Sequence, residues 1–461
     1  MYLQEIMLWF TAFIGLSTCN RVYVHPFNLL TYNKSECENI QFHDHSSEMF
    51  FPTAIESKNN ADENNFELQR NLEAGHIGTT ESYLISIINS VSFRAVAGWW
   101  KLRKTDSILI PYTDFFRTMV SFYLGASGNT SNSLQTFLGL EDKSGSTNCT
   151  SKVNGFKVIS TLQNIDTFLF SKDSNINTLR TVCMFVSPNV PLSKKVVHGL
   201  TLTADNFYVR TVDFKDSTKA VKLINDFLDS KLPANAISGL TSINVIADFM
   251  YISHVQFKGK VANSFLLPKR QPFWTEPNKI VLVPMIAVSG IFQFTEDSTA
   301  NQLIIKISLS DNDFLLLVQP LNGNTLENIE SSMNWNTYQE WVNGLSKRSR
   351  YINLSLPKLK IERSYNIQDL LSSLEVSELL GKNADFSKMS KTNIKVGKVI
   401  NTIDFELEES GTDPHEENDI PETKEEPLEV MINRPFILAL CEGTTKSLLL
   451  LGRVIHPTNI I

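Results

Sequence analysis

Residues 243–261 read INVIADFMYISHVQFKGKV. β-Branched and aromatic side chains dominate the run, and it is too long and too apolar for the alternating pattern of a surface strand. Such a stretch fits a strand covered on both faces, inside a large sheet. The same character recurs at 179–187 (LRTVCMFVS), 278–288 (NKIVLVPMIAV), 301–309 (NQLIIKISL), 313–321 (DFLLLVQPL) and 436–440 (FILAL). Helical spacing comes earlier in the chain. Leu84, Ile87, Ile88 and Val91 recur behind a capping Thr80, and Phe116, Met119, Val120, Tyr123 and Leu124 repeat the pattern. Residues 134–140 and 156–170 add two more amphipathic segments. Helices first, several sheets later and an apolar hairpin at the C-terminus predict one α+β domain over residues 80–461.

Composition agrees with a packed body: 42% of residues are hydrophobic and 20% charged, with only 17 prolines and 20 glycines. A formal net charge of −7 without a basic run argues against a nucleic-acid partner. Residues 1–19 hold an apolar stretch from Ile6 to Leu16, too short to span a bilayer, followed by small Ser17 and Cys19; this reads as a signal peptide cleaved ahead of Asn20. The mature chain then opens with NRVYVHPFNLLTY, residues 20–32. From residue 30 to 79 the chain is polar, acidic and without apolar periodicity, which predicts a flexible arm with at most brief helix.

Cysteine usage fits an exported protein. Cys183 and Cys441 lie in apolar β-like runs and read as buried free thiols, whereas Cys37 and Cys149 lie in polar sequence where an oxidising compartment favours a bridge. Four cysteines allow three pairings, and the residues alone only favour this one. The sequons at Asn33, Asn129, Asn148 and Asn353 point the same way, although Asn129 also suits the opening of a helix. No nucleophile elbow, zincin, Walker or dinucleotide motif occurs, so no catalytic residue, metal site or cofactor is assigned. His43 and His45 lack ligand partners at metal-binding spacing, and His254 reads as a hydrogen-bonding core residue.

Three segments carry a family resemblance. Residues 107–140 (SILIPYTDFFRTMVSFYLGASGNTSNSLQTFLGL) resemble the second and third helices of serpins, 243–261 their long central strand and following turn, and 433–457 (NRPFILALCEGTTKSLLLLGRVIHP) their C-terminal strand pair. In serpin order these cover residues 81–457. The resemblance implies the serpin fold: large, mostly antiparallel sheets with about nine helices and an exposed reactive loop, here 411–432.

With the N-terminal peptide, the resemblance sharpens to the non-inhibitory serpins that carry a vasoactive peptide hormone. It implies cleavage by the aspartic protease renin between Leu29 and Leu30, releasing the decapeptide 20–29. A second cut between Phe27 and Asn28, by a dipeptidyl carboxypeptidase, would leave 20–27 for a G-protein-coupled receptor. Arg21, Tyr23, His25, Pro26 and Phe27 would be the receptor contacts, and Asn20, Val24 and Asn28 depart from the familiar mammalian peptide. The resemblance further implies the Cys37 to Cys149 bridge, secretion into the extracellular space, and a role in vasoconstriction, blood pressure and salt balance. Aspartic proteases bind extended substrates, and Pro26 biases His25 toward extended geometry, so the peptide is expected to be extended ahead of cleavage.

The alternative, an inhibitory serpin acting on serine proteases, conflicts with the reactive loop. That loop reads GTDPHEENDIPETKEEPLEV at 411–430. Pro414 and Pro421 lack the N–H that an inserted strand must donate, and Asp413, Glu416, Glu417, Asp419 and Glu422 would carry carboxylates into a sheet.

Overall fold

The computed structural model describes residues 24–43, 48–56, 77–141, 149–169, 176–233, 240–297, 300–321, 323–345, 349–411 and 426–457. The signal segment 1–19, Asn20, Arg21, Tyr23, His45, Asn148 and the charged loop 412–425 lie outside these residues.

Eleven α-helices occur among the described residues: α1 Pro26–Leu30, α2 Lys34–His43, α3 Thr79–Leu102, α4 Tyr112–Gly125, α5 Gly128–Phe137, α6 Gly155–Leu169, α7 Lys194–Thr201, α8 Ser217–Lys231, α9 Leu326–Ser332, α10 Trp335–Leu345 and α11 Ile367–Ser373. Two of them precede Thr79, leaving nine for the body. Asn129 sits in the first turn of α5, on its exposed side.

Two large sheets organise the strands. The first runs β14 (Lys360–Asn366), β15 (Val396–Glu409), β6 (Phe249–Val261), β3 (Ile176–Val186), β5 (Asn206–Thr211). The second runs β16 (Leu428–Met431), β13 (Ser349–Pro357), β10 (Met285–Asp297), β11 (Gln302–Ser308), β12 (Asp313–Pro320), β17 (Phe436–Glu442), β18 (Ser447–Val454), β2 (Ile108–Pro111), with β7 (Ser264–Leu266) also on β10. β8 (Gln271–Glu276) and β9 (Lys279–Val283) form a separate hairpin, and β1 (Met49–Phe50) pairs with β4 (Leu192–Ser193).

The run that decided the fold is the central strand β6, antiparallel to β3 and parallel to β15. Its first six residues are not strand. Asn244 captures the Ile246 N–H on its side chain and the Ala247 N–H on its carbonyl, making a turn that leaves Ile246 64% exposed. β6 and β15 are paired from Tyr251↔Val399 to Val261↔Glu409, so the sheet is closed along the seam where an inserted strand would have to enter.

All of α4 is buried beneath this sheet. Its Asp114 carboxylate receives the Arg180 guanidinium, the Ser253 hydroxyl at 2.6 Å and the Asn401 amide at 2.7 Å, so the buried charge is both paired and hydrogen-bonded. Glycine is obligatory at Gly452, where β18 meets β2: a Cβ there would lie 1.8 Å from the Ile108 carbonyl oxygen. Gly411 closes β15 at φ +81°, a conformation glycine adopts without strain, and its N–H donates to the Ser264 carbonyl.

Candidate cleavage site

The N-terminal segment departs most from expectation. His25 is extended, as a residue before proline should be, but Pro26 then opens a helix. Proline at the first helical position sacrifices no hydrogen bond and presets the backbone torsion. The His25 ring caps the turn, its Nδ1 accepting the Phe27 N–H at 3.2 Å, and its carbonyl accepts from Asn28 N. The candidate scissile bond, Leu29 to Leu30, therefore ends a helical turn in place of an extended strand.

Amphipathicity fixes the orientation of that turn. Phe27 (6% exposed) and Leu30 (1%) enter the main core with Pro26 buried beside them, while Leu29 is 47% exposed and Asn28 faces outward. The segment packs against α3 and α6. The His25 ring meets Tyr83 of α3 edge-on at 5.4 Å, and burial raises the Tyr83 pKa.

The backbone after the candidate scissile bond is also held. Asn154 N–H donates to the Leu30 carbonyl at 2.8 Å, Tyr32 N–H donates to the Lys152 carbonyl at 3.1 Å, and Thr31 bridges Val153. The Lys157 ammonium donates to the Thr31 carbonyl at 2.8 Å and to Glu36 at 3.0 Å.

α2 begins with a reciprocal capping box. Asn33 Oδ1 accepts the Glu36 N–H at 2.8 Å, and Glu36 Oε2 accepts the Asn33 N–H at 2.7 Å. Burial acts to raise the Glu36 pKa, but the Asn33 N–H and the Lys157 ammonium outweigh it and the net shift is downward. One turn on, Cys37 is disulfide-bonded to Cys149, with Cα atoms 5.7 Å apart and a sequence separation of 112. Instead of a free arm, residues 24–43 and 48–56 are attached to the body; β1 reaches β4, and the Lys194 N–H donates to the Glu48 carbonyl.

Together these contacts bury one side of the dileucine and present the other. An aspartic protease needs several residues in extended form, so cleavage here by such an enzyme would require the turn to leave its site first. Lys152, Asn154, Lys157 and Tyr83, which hold it there, are absent from any reading of the peptide alone. The N-x-x-E spacing of Asn33 and Glu36 was the local signal available for α2.

The other sites of interest are dispersed. Asn33 is exposed, whereas Asn353 lies within β13, its side chain accepting from Ser289 and donating to Glu429 at 2.6 Å. Cys183 and Cys441 are buried free thiols whose pKa values burial pushes up to about 12. His254 is 1% exposed, with Nδ1 2.9 Å from the Thr402 hydroxyl; burial lowers its pKa to about 4 against the opposing pull of Asp404 and Asp114. Among the described residues no cluster of three His, Cys, Asp or Glu side chains could hold a metal, and no helix is long and apolar enough to cross a membrane.

The family model described as serpin (serine protease inhibitor) matches residues 89–457. The chain belongs to the serpin family. This serpin is 32% identical to the angiotensinogen of Bos taurus over 99% of its own length and 98% of the relative's, and 31% identical to that of Homo sapiens over the same shares. Among solved structures it is similar to human thyroxine-binding globulin, with a TM-score of 0.69 and 20% identity, covering 82% of this serpin and 100% of that chain. The likeness to angiotensinogens thus runs through both the serpin body and the docked segment ahead of it.

Proposed function

We infer that this serpin is the secreted precursor of angiotensin-type peptides and that its body is a non-inhibitory carrier. The observation that carries this reading is the extent of the likeness to angiotensinogens, 99% of the chain, which takes in the peptide region ahead of the serpin body. The protein is then a protease substrate and not an enzyme. Residues 1–19 are the signal peptide, 20–29 the angiotensin I-like peptide, 30–79 the connecting arm and 80–461 the serpin domain.

Renin cleaves between Leu29 and Leu30, and angiotensin-converting enzyme trims the product after Phe27. The octapeptide 20–27 engages a G-protein-coupled angiotensin receptor through Arg21, Tyr23, His25, Pro26 and Phe27, so driving vasoconstriction and salt retention. The exposed Leu29 and the buried Leu30 support a two-step release in which the turn first leaves the body and then extends into the protease cleft. Asn33, Asn129, Asn148 and Asn353 are the glycosylation candidates, and the Cys37–Cys149 bridge tethers the arm just beyond the peptide.

Mass spectrometry of the secreted protein before and after renin treatment tests this. The expected products are a peptide ending at Leu29 and a body beginning at Leu30; a body still carrying residues 20–29 after exhaustive digestion refutes the reading.

A further inference from the structure

A cleft of about 1220 Å³ among the described residues is lined by none of the residues that hold the N-terminal turn. It opens between the last turns of α3, the β8–β9 hairpin, α9 and the end of β18. Ala97, Trp100, Trp274, Pro277, Leu326 and Met333 supply apolar walls. Its volume exceeds what a drug-sized ligand requires, and two indoles on one cleft favour a flat apolar guest.

Two polar groups on its lining residues lack partners among the described residues. Trp100 is only 7% exposed, yet among the described residues its Nε1–H has no hydrogen-bond partner. A buried indole N–H normally finds an acceptor, so this one is available to a group that wedges beside the ring. Arg434 also lines the cleft, half-buried, and makes no hydrogen bond or ion pair among the described residues.

The remaining basic group on the floor is already spent. Arg453 donates from Nη1 to both Glu330 oxygens at 2.8 Å, from Nε to the Asp106 carbonyl at 3.0 Å and from Nη2 to the Arg103 carbonyl. The available charge is therefore the guanidinium of Arg434, joined at the rim by the exposed Lys101 and Lys104.

We propose that this cleft is a binding site for a small aryl acid: a flat apolar ring system held along Trp100 and Trp274, an acceptor meeting Trp100 Nε1–H, and an anionic group paired with Arg434. Apolar walls supply affinity, while the lone donor and the unpaired cation set orientation.

The intact protein is titrated with 8-anilinonaphthalene-1-sulfonate and with its uncharged analogue N-phenyl-1-naphthylamine, following tryptophan quenching and probe emission. One saturable site is expected for each probe. Trp100→Phe, which keeps the ring packing and removes the N–H, is expected to weaken the sulfonate about tenfold. Arg434→Gln, at a half-exposed position, is expected to weaken the sulfonate by about the same factor and leave the neutral probe unchanged. Thermal midpoints equal to that of the parent protein confirm folding of both variants. Absence of a saturable site, or sulfonate binding by either variant equal to the parent's, overturns the assignment.

Discussion

Lys157→Met isolates the docking of the N-terminal turn without touching the substrate sequence. Burial of Phe27 and of Leu30 contributes about 1.5–3 kcal/mol each, and the Asn154 to Leu30 and Tyr32 to Lys152 hydrogen bonds about 0.5–1.5 kcal/mol each, before the entropy of ordering the segment is set against them. Lys157 adds a donor to the Thr31 carbonyl and an ion pair with Glu36. Both side chains of the pair are about one-third exposed, so solvent screening limits their joint contribution to about 1 kcal/mol. If undocking precedes cleavage, its equilibrium shifts toward the open form by that amount, and renin kcat/KM on the intact protein should rise about fivefold. The isolated peptide 20–33 contains no Lys157 and supplies the reference rate. Release assayed by mass spectrometry at substrate well below KM gives the ratio directly. An unchanged or slower rate for the variant, with the peptide reference constant, would show that docking does not gate the protease.

Three further outcomes follow from the same geometry. Cys149→Ser removes the tether on α2 and should lower stability by roughly 2–4 kcal/mol while speeding peptide release; identical renin kinetics would deny the bridge any part in presentation. His254 is held neutral by burial, with its pKa lowered from 6.5 to about 4, so the unfolded chain binds the extra proton first as pH falls. Its contribution to stability is complete above the unfolded pKa and is lost toward pH 4 at up to about 1.4 kcal/mol per pH unit; His254→Gln should flatten that slope in denaturant titrations, and an unaltered slope refutes the assignment. Nicking the loop between residues 411 and 432 should leave the thermal midpoint where it was. A rise of tens of degrees would mean that the cleaved loop enters between β6 and β15, and it would restore the inhibitory reading.

The sheet core was legible because burial on both faces leaves an unbroken apolar signature, as in β6, β12 and β17. Edges were less legible. Val245 and Ile246 look like strand on composition, yet the side chain of Asn244, directly ahead of them, diverts their backbone into a turn. Pro26 misled for a related reason: the residue that extends its predecessor is also well suited to open a helix, and only the tertiary pocket for Phe27 and Leu30 chooses between those outcomes. The aryl-acid cleft had no sequence signature at all. Trp100 falls on the apolar stripe of α3 and reads as core, and nothing local tells that its N–H would lack an acceptor.

If the bond between Leu29 and Leu30 is the one cut, the burial of Leu30 has a consequence for the body left behind. Cutting ahead of Leu30 turns a neutral amide into an ammonium on a residue that was 1% exposed, and turns Leu29 into a carboxylate beside it. Returning the Leu30 ammonium to that apolar seat would leave an ion without its water, a penalty of several kcal/mol, whereas the half-exposed Leu29 carboxylate would keep its water. The body's new Leu30 terminus would therefore not return to the seat it held before. The cleaved body would present the face on α3 and α6 where the turn was docked and a new Leu30 terminus leashed by the bridge at Cys37. An antibody raised to that face would count spent precursor separately from intact precursor in the same sample.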